Sequence, residues 1–322
     1  MQLLKKTANP IYHLAHDEYI PGNFLFSCGS VLYSMNFQGT ITRVIGMRTN
    51  SLSTEYREGN VSNAIFSKIT SFIHLSRSQV LLIDHYNNVL RTLNRTTDVT
   101  SLMAGFKHDK FTRSGLFSHS RFNNPVDIAT NDNNKYYISQ PSANAIAVLN
   151  IKKRYVTHVK TEGVSIRSFS VDWTSKTIYT CTNNQIAFLS PQNLSITPLN
   201  PKCDSREENC LFTNGLLANI SFDFLSNIVV LNTHTLLALE KYAKRIKVVD
   251  LSGKVSTICS DCVGKSCSRS QPSTDKDVTT NCSITGYPLT GLKYNSTTVL
   301  IGSSTAIMAL SCKLLTSFHN SI

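Results

Sequence analysis

The sequence predicts an all-β protein, a six-bladed β-propeller of four-stranded antiparallel blades, and three observations predict it. Pairs of apolar, strand-like runs joined by a short polar loop recur along the chain, as in "VLLIDHYNNVLRTLN" at residues 80–94. A further strand-like run precedes most copies and another follows, so each unit has four strands, a to d, and the units recur every roughly 40 to 60 residues. No unit holds an amphipathic helical stretch. Six such units, each able to bury its faces only against its neighbours, are the mark of a propeller. Of the 322 residues 41% are hydrophobic and only 16% charged, and the Asn, Ser and Thr that fill the rest favour strands and turns.

The units are expected at residues 11–50, 69–105, 124–162, 163–200, 215–260 and 284–318, in a single domain spanning 1–322. The first is built on "NFLFSCGSVLYSMNF" (23–37) and closes with "TITRVIG". The second is "VLLIDHYNNVLRTLN" followed by "DVTSLMAG". The third opens with "NPVDIATNDNN" (124–134) and continues through "KYYISQPSANAIAVLN" (135–150) and "RYVTHV". The fourth opens with "RSFSVDWTSK" (167–176) before "TIYTCTNNQIAFLS" (177–190). The fifth is looser. It reads as "NIVVLNTHT" (227–235), an insertion "HTLLALEKYAKR" (234–245) in the b–c loop, and then "RIKVVDLSG" (245–253) and "KVSTIC". The sixth is "VLIGSSTAIMALSC" (299–312). Two separate β-sandwiches would call for a linker and a change of pattern near the middle, and the chain has neither. Residues 299–315 are apolar but carry Gly302, several hydroxyls and Lys313, and fall short of the roughly 20 residues a membrane helix needs. They read as two buried strands, so no membrane span is expected. Residues 1–6 show no apolar core of a signal peptide.

"VLLIDHYNNVLR" resembles the core of an NHL repeat, and "SRFNNPVDIAT" (120–130) resembles the link that opens the next NHL blade. The match is best over residues 69–150. Elsewhere Cys28, Ser139, Cys181, Asn232 and Ser303 are read at the position of Asp84. The resemblance implies the fold, and three classes of function stay open with it. One is a non-catalytic recognition module. Another is a propeller enzyme, similar to a lyase with zinc-bound His or to hydrolases with acidic residues around calcium. A third resembles the NHL propellers of tripartite-motif proteins, which bind single-stranded RNA.

In an up-and-down blade the b–c turn and the d–a link share one face. The a–b and c–d turns read as terse, whereas the links 47–67, 105–123, 199–214 and 259–286 exceed the usual loop of about 4 to 6 residues. One elaborated face is therefore expected. It is basic, in keeping with a formal net charge of +12. Its candidate binding residues are Arg48, Arg57, Lys107, Lys110, Arg113, Arg121, Lys241, Lys244 and Arg245, with Glu55, Glu58 and Asp109 among them. Such a surface suits an acidic partner, either a protein or an acidic glycan. The alternative is that loops of any basic protein carry net positive charge. Tyr56, Phe106, Phe111, Phe117, Phe122 and Tyr242 lie near these cations, a mixture single-stranded nucleic acid also exploits.

Nine cysteines are present. Cys203 and Cys210 flank "DSREEN", and Cys259, Cys262, Cys267 and Cys282 crowd another link. Disulfides pinning long loops in an oxidising compartment account for this placement, which argues against a cytosolic nucleic-acid binder. A four-thiolate zinc site is the rival, although the usual second C-x-x-C is missing. Cys28 and Cys181 read as buried small hydrophobes. Six N-x-S/T sequons occur, at Asn60, Asn94, Asn193, Asn219, Asn281 and Asn295, about the number chance supplies in so Asn- and Ser/Thr-rich a chain. The expectation is a secreted protein or a cell-surface ectodomain.

No catalytic residue, metal or cofactor is expected. The His residues are scattered, with His13 and His16 three apart in an apparent strand and so on opposite faces. Asp84, Asp127 and Asp172 are acidic residues near the channel mouth, the last two in similar first-strand settings. They read as carboxylates bonding neighbouring backbone, or as an acid/base pair if geometry brings them together. No nucleophile elbow, P-loop or dinucleotide fingerprint is present.

Overall fold

The computed structural model describes residues 2–47, 55–132, 134–201, 214–260, 288–296 and 298–311. Candidate residues Arg48, Cys203, Cys210, Cys262, Cys267, Asn281 and Cys282 lie outside these. Six antiparallel sheets of four or five strands make up the protein. It is a six-bladed β-propeller without an α-helix among the described residues. The chain divides into two compact units, Thr7–Phe169 and Met1–Lys6 with Ser170–Ile322.

In the first unit, blade one is Ile11–His16, Phe24–Cys28, Val31–Met35 and Ile41–Ile45. Blade two is Ile69–Ser76, Gln79–Asp84, Val89–Asn94 and Val99–Gly105. Blade three is Ile128–Thr130, Lys135–Gln140, Ala145–Asn150 and Tyr155–Lys160. Side chains alternate across a strand, and here both faces are dry. Leu81 and Ile83 pack with Ile128, Ile138 and Ala147 of blade three. Their sequence neighbours Val80 and Leu82 pack with Leu25 and Leu32 of blade one. This is why the second strand is an unbroken apolar run. Gly46 and Gly105 follow or end the fourth strands at equivalent places. Their φ angles are +92° and +98°, and a Cβ would lie 2.3 Å from the Ser30 carbonyl oxygen or 2.7 Å from that of Asn88. The chain can leave the blade against its own b–c turn only without a side chain.

Blade four, whose first strand begins with the last two residues of the first unit, is Ser168–Asp172, Thr177–Cys181, Ile186–Leu189 and Ile196–Pro198, and the blades that follow lie in the second unit. Blade five is Leu225–Asn232, Thr235–Glu240, Arg245–Asp250 and Lys254–Ser260. Blade six is Pro288–Asn295, Thr298–Ser303 and Ala306–Ser311, and Gln2–Lys6 is its fourth strand, antiparallel to Ala306–Ser311. The same alternation recurs: Leu237 and Leu239 pack with Val299 and Ile301, whereas Leu236 and Ala238 pack with Tyr179 and Ile186.

The structure revises the sequence reading of blade five. Residues 235–240 are its second strand, not an insertion, and 227–232 belongs to its first. Register then sets the counterpart of Asp84, which pairs with Val89. Gln140 pairs with Ala145 and Glu240 with Arg245 in the same way, so these two replace Ser139 and Asn232 as the equivalent residues.

The links differ too. Three of them contain a two-residue strand on the outer edge of the next blade: Gly59–Asn60, Gly115–Leu116 and Gly215–Leu216. Each begins with a glycine at positive φ and is followed seven residues after that glycine by a fully buried aromatic, Phe66, Phe122 or Phe222. The amide after each Phe then donates to the residue ending the second strand. Ser67 N–H bonds Asp84 at 2.9 Å, Asn123 bonds Gln140 at 2.7 Å, and Asp223 bonds Glu240 at 2.7 Å. These links run along the blade's outer edge to its c–d turn, where Phe117 N–H meets the Arg154 carbonyl and Leu217 N–H that of Gly253. They are therefore not confined to the b–c face. Their last stretches return to the b–c turns, where Ser67, Asn123 and Asp223 make the bonds just described.

Candidate functional site

The most built part of the first unit surrounds the b–c turn of blade two, His85–Asn88. Asn88 sits at φ +58°, a left-handed position that Asn tolerates and that the tight turn requires. Asn87 and Asn88 are fully buried. Asn87 donates its side-chain amide to the Glu55 carbonyl and to Asp84, and its backbone carbonyl accepts His108 N–H. Asn88 accepts the Asn124 amide at 2.8 Å. His85 Nδ1 meets the Pro125 carbonyl at 2.8 Å. One turn thus holds the link entering the blade and the link leaving it, and the asparagine pair in "DHYNNV" is there for that purpose.

On this scaffold cations lie over rings. Lys68 Nζ is 4.0 Å from the ring centre of Tyr12 and 5.5 Å from that of Tyr86. Lys107 stands over Tyr56 at 5.6 Å, and Arg121 over Phe106 at 4.5 Å. Burial and the Glu58 hydrogen bond push the Tyr56 hydroxyl well above the usual phenol range. Burial lowers His85 to about 4, with Lys68 and Lys110 adding to the shift. His85 is therefore a neutral imidazole in a field of lysines. Phe106 and Phe111 are exposed, the latter to 70%.

Of the residues expected to form one basic face, the structure gathers Lys107 and Lys110 here, both exposed. Arg57 and Arg113 hold equivalent places at the start of the link elements, bridged through their backbones to Ile65 and Arg121. Arg121 is half-committed, bonded to Asp109 at 2.9 Å. In the second unit Lys241 lies over Tyr242 and Phe224. Lys244 is partly buried in the b–c turn at φ +48°. Arg245 pairs with the fully buried Glu240 at 2.7 Å, a role in the fold. Sequence reasoning missed Tyr12, Lys68 and Tyr86, whose signal was that each flanks the start of a first strand or the b–c turn.

The other sequence candidates fall into place. Asp84 is buried against Arg91. Asp127 and Asp172 are not equivalent: Asp127 immediately precedes a first strand, while Asp172 ends one and is held by Thr174 and Ser175 in the following turn, which lowers its pKa against the cost of burial. Asn60, Asn193, Asn219 and Asn295 are exposed. Asn94 is partly buried, and its side-chain oxygen accepts the amides of Thr96 and Thr97. Cys28 and Cys181 are buried, as expected of small hydrophobes, with Cys28 Sγ 3.2 Å from the Asn9 carbonyl, and Cys259 is fully buried.

No protein-family model matches this chain. No curated protein matches its sequence. Solved structures do match its fold. An auxiliary nutrient binding protein from Bacteroides thetaiotaomicron is similar with a TM-score of 0.65 at 10% identity, over 94% of this chain and 69% of that one. Virginiamycin B lyase from Staphylococcus aureus is similar with a TM-score of 0.56 at 11% identity, over 96% of both chains. A chain of a nidogen/laminin complex matches with a TM-score of 0.52 at 10% identity, over 77% of this chain and 84% of that one. These likenesses establish the propeller fold. No helix among the described residues is long and apolar enough to cross a membrane.

Proposed function

We propose that this chain is a single-domain, NHL-type propeller that serves as a non-catalytic extracellular recognition module, secreted or displayed on a cell surface. Its partner is a protein or glycan of acidic character. The observation that carries the reading is the patch around His85–Asn88, where Lys107 and Lys110 stand exposed beside Phe106 and Phe111 in the link that His108 N–H ties to this buried, hydrogen-bonded turn. Exposed aromatics beside cations on a rigid base are the composition of binding surfaces. The auxiliary nutrient binding protein and the nidogen/laminin complex among the similar structures support it. The NHL-type reading rests on Asp84 and Arg91 together with the repeated Gly-to-Phe link. The extracellular reading includes oxidation of Cys259 with the cysteines that follow it, and glycans at exposed sequons such as Asn60 and Asn219.

The test is retention on immobilised heparin, an acidic glycan, and pull-down with acidic protein ligands, for the wild type and for Lys107→Glu with Lys110→Glu. The expected result is binding that falls at least tenfold in the double variant and weakens with salt, while the denaturation midpoint is unchanged. Equal binding by wild type and variant would overturn the assignment of this face. Peptide mass spectrometry with and without reductant and glycosidase reads the compartment, and free thiols with bare asparagines would remove the extracellular reading.

A further inference from the structure

A separate cluster lies where the first strands of the first unit run side by side. His13 of blade one, Ser71 of blade two and Asp127 of blade three occupy successive blades, and their side chains meet. Ser71 Oγ is 2.6 Å from Asp127 Oδ1 and 3.2 Å from His13 Nδ1. The imidazole and the carboxylate are themselves 3.8 Å apart.

Proton counting fixes the polarity of this chain. A carboxylate only accepts, so the short contact to Asp127 uses the single hydroxyl proton of Ser71. Ser71 then has only lone pairs left for His13, and Nδ1 must carry the imidazole proton. Asp127 is held in turn by the Ile128 N–H on Oδ1 at 2.9 Å and the Phe169 N–H on Oδ2 at 2.8 Å. Its own N–H donates to Ser139 Oγ at 3.0 Å. The Phe72 ring meets the imidazole edge-on, 4.8 Å between centroids. Ser71 is fully buried, so no water competes for the chain. The imidazole is thus locked in ring orientation and in tautomer.

Nε2 is left as an acceptor. It has no hydrogen-bond partner among the described residues, and the His13 side chain keeps 20% of its surface accessible. A core histidine has no use for this arrangement, because two buried groups are spent on holding one ring so that its far nitrogen is bare. We propose that His13, Ser71 and Asp127 form a small-ligand site of fixed polarity, in which the Nε2 lone pair accepts a hydrogen bond from a ligand hydroxyl or ammonium group. An anion is disfavoured, since it would meet a lone pair backed by a carboxylate. The site lies on the first strands and is distinct from the loop surface around His85–Asn88.

The test uses the full chain labelled with ¹⁵N-histidine. Long-range ¹H–¹⁵N spectra at pH 7 report the His13 tautomer, and the same resonance is followed during titration with ethanolamine, glycerol and acetate. The expected result is an Nδ1–H tautomer in the wild type, a saturable Nε2 shift with ethanolamine or glycerol, and none with acetate. Ser71→Ala, which removes only the buried hydroxyl, should give a mixed tautomer and weaken the response at least tenfold. An Nε2–H tautomer in the wild type would overturn the proposal. So would a response to acetate equal to that of the donors, or silence to all three. If Ser71→Ala lowers stability, the wild-type tautomer and titrations decide alone.

Discussion

Arg91 and Asp84 form an ion pair at 3.2 Å with both side chains wholly removed from solvent. Desolvating two charges costs several kcal/mol each, so such a pair depends on further hydrogen bonds, which all but the buried Arg91 Nε make. Here the Arg91 Nη atoms also donate to the carbonyls of Ile65 and Arg57, each at 2.6 Å. Asp84 accepts from the backbone and hydroxyl of Ser67 and from Asn87. The rings of Phe66 and Tyr56 cover the guanidinium at 3.9 and 4.5 Å. The pair therefore joins the inner hairpin of blade two to the link that enters it.

Removing one partner should be worse than removing both. Arg91→Ala strands a buried carboxylate and two carbonyls, and should cost about 3–5 kcal/mol. Arg91→Met combined with Asp84→Leu leaves no charge behind and should cost less than Arg91→Ala alone. Urea denaturation of the two variants checks the order, and the reverse order would mean that the ion pair itself is the main source of stability.

Gly105→Ala should be strongly destabilising although it adds one methyl group. That methyl would sit 2.7 Å from the Asn88 carbonyl oxygen and 3.0 Å from the Phe122 ring, at φ +98°. Overpacking and backbone strain each cost on the order of 1–3 kcal/mol. Gly163→Ala is the control, because a Cβ there meets nothing within 4 Å and only the strain of φ +83° applies. Thermal denaturation should place Gly105→Ala well below Gly163→Ala.

The inner hairpin of blade two was legible because everything that defines it is local: an apolar run, Asp84, a polar turn and Arg91. Blade five misled the reading for the opposite reason. Glu240 is fully buried, and what permits it is the Asp223 amide 17 residues earlier and Arg245 after the turn. A charged residue ending a strand looks like loop until those partners are known. The link elements share only a glycine and a phenylalanine, too little to stand out against their variable filling. His13, Ser71 and Asp127 are 58 and 56 residues apart, one blade each, and only strand register shows that they coincide. The exposed lysines were visible in composition, but nothing local told Lys107, free to meet a partner, from Arg245, committed to Glu240.

His158→Phe should stabilise the protein. Both ring nitrogens of His158 are buried without a hydrogen-bond partner, and the ring already packs against Phe122 at 5.7 Å. An unmet buried polar atom costs about 1–3 kcal/mol, and phenyl fills nearly the same volume without that cost. The expected gain is on the order of 1 kcal/mol at pH 7, read as a shift of the urea midpoint at unchanged slope. A loss would mean that water reaches those nitrogens.

The same residue enters the pH dependence. Burial lowers His85 and His158 to about 4, and burial lowers His13 as well, with Asp127 opposing the shift. A histidine whose pKa is depressed by folding binds more protons in the unfolded chain than in the native one. Unfolding is therefore favoured as pH falls, and stability rises with pH through the window from about 4 to the ordinary value near 6.5. Within that window each such histidine contributes up to about 1.4 kcal/mol per pH unit. The urea midpoint should be flat from pH 7 to 8 and fall steadily from 6.5 towards 4.5. His158→Phe should flatten the slope by one histidine's share and raise the plateau by the gain expected at pH 7. A slope identical to wild type would show that His158 takes up its proton in the folded state, and hence that its site is open to water.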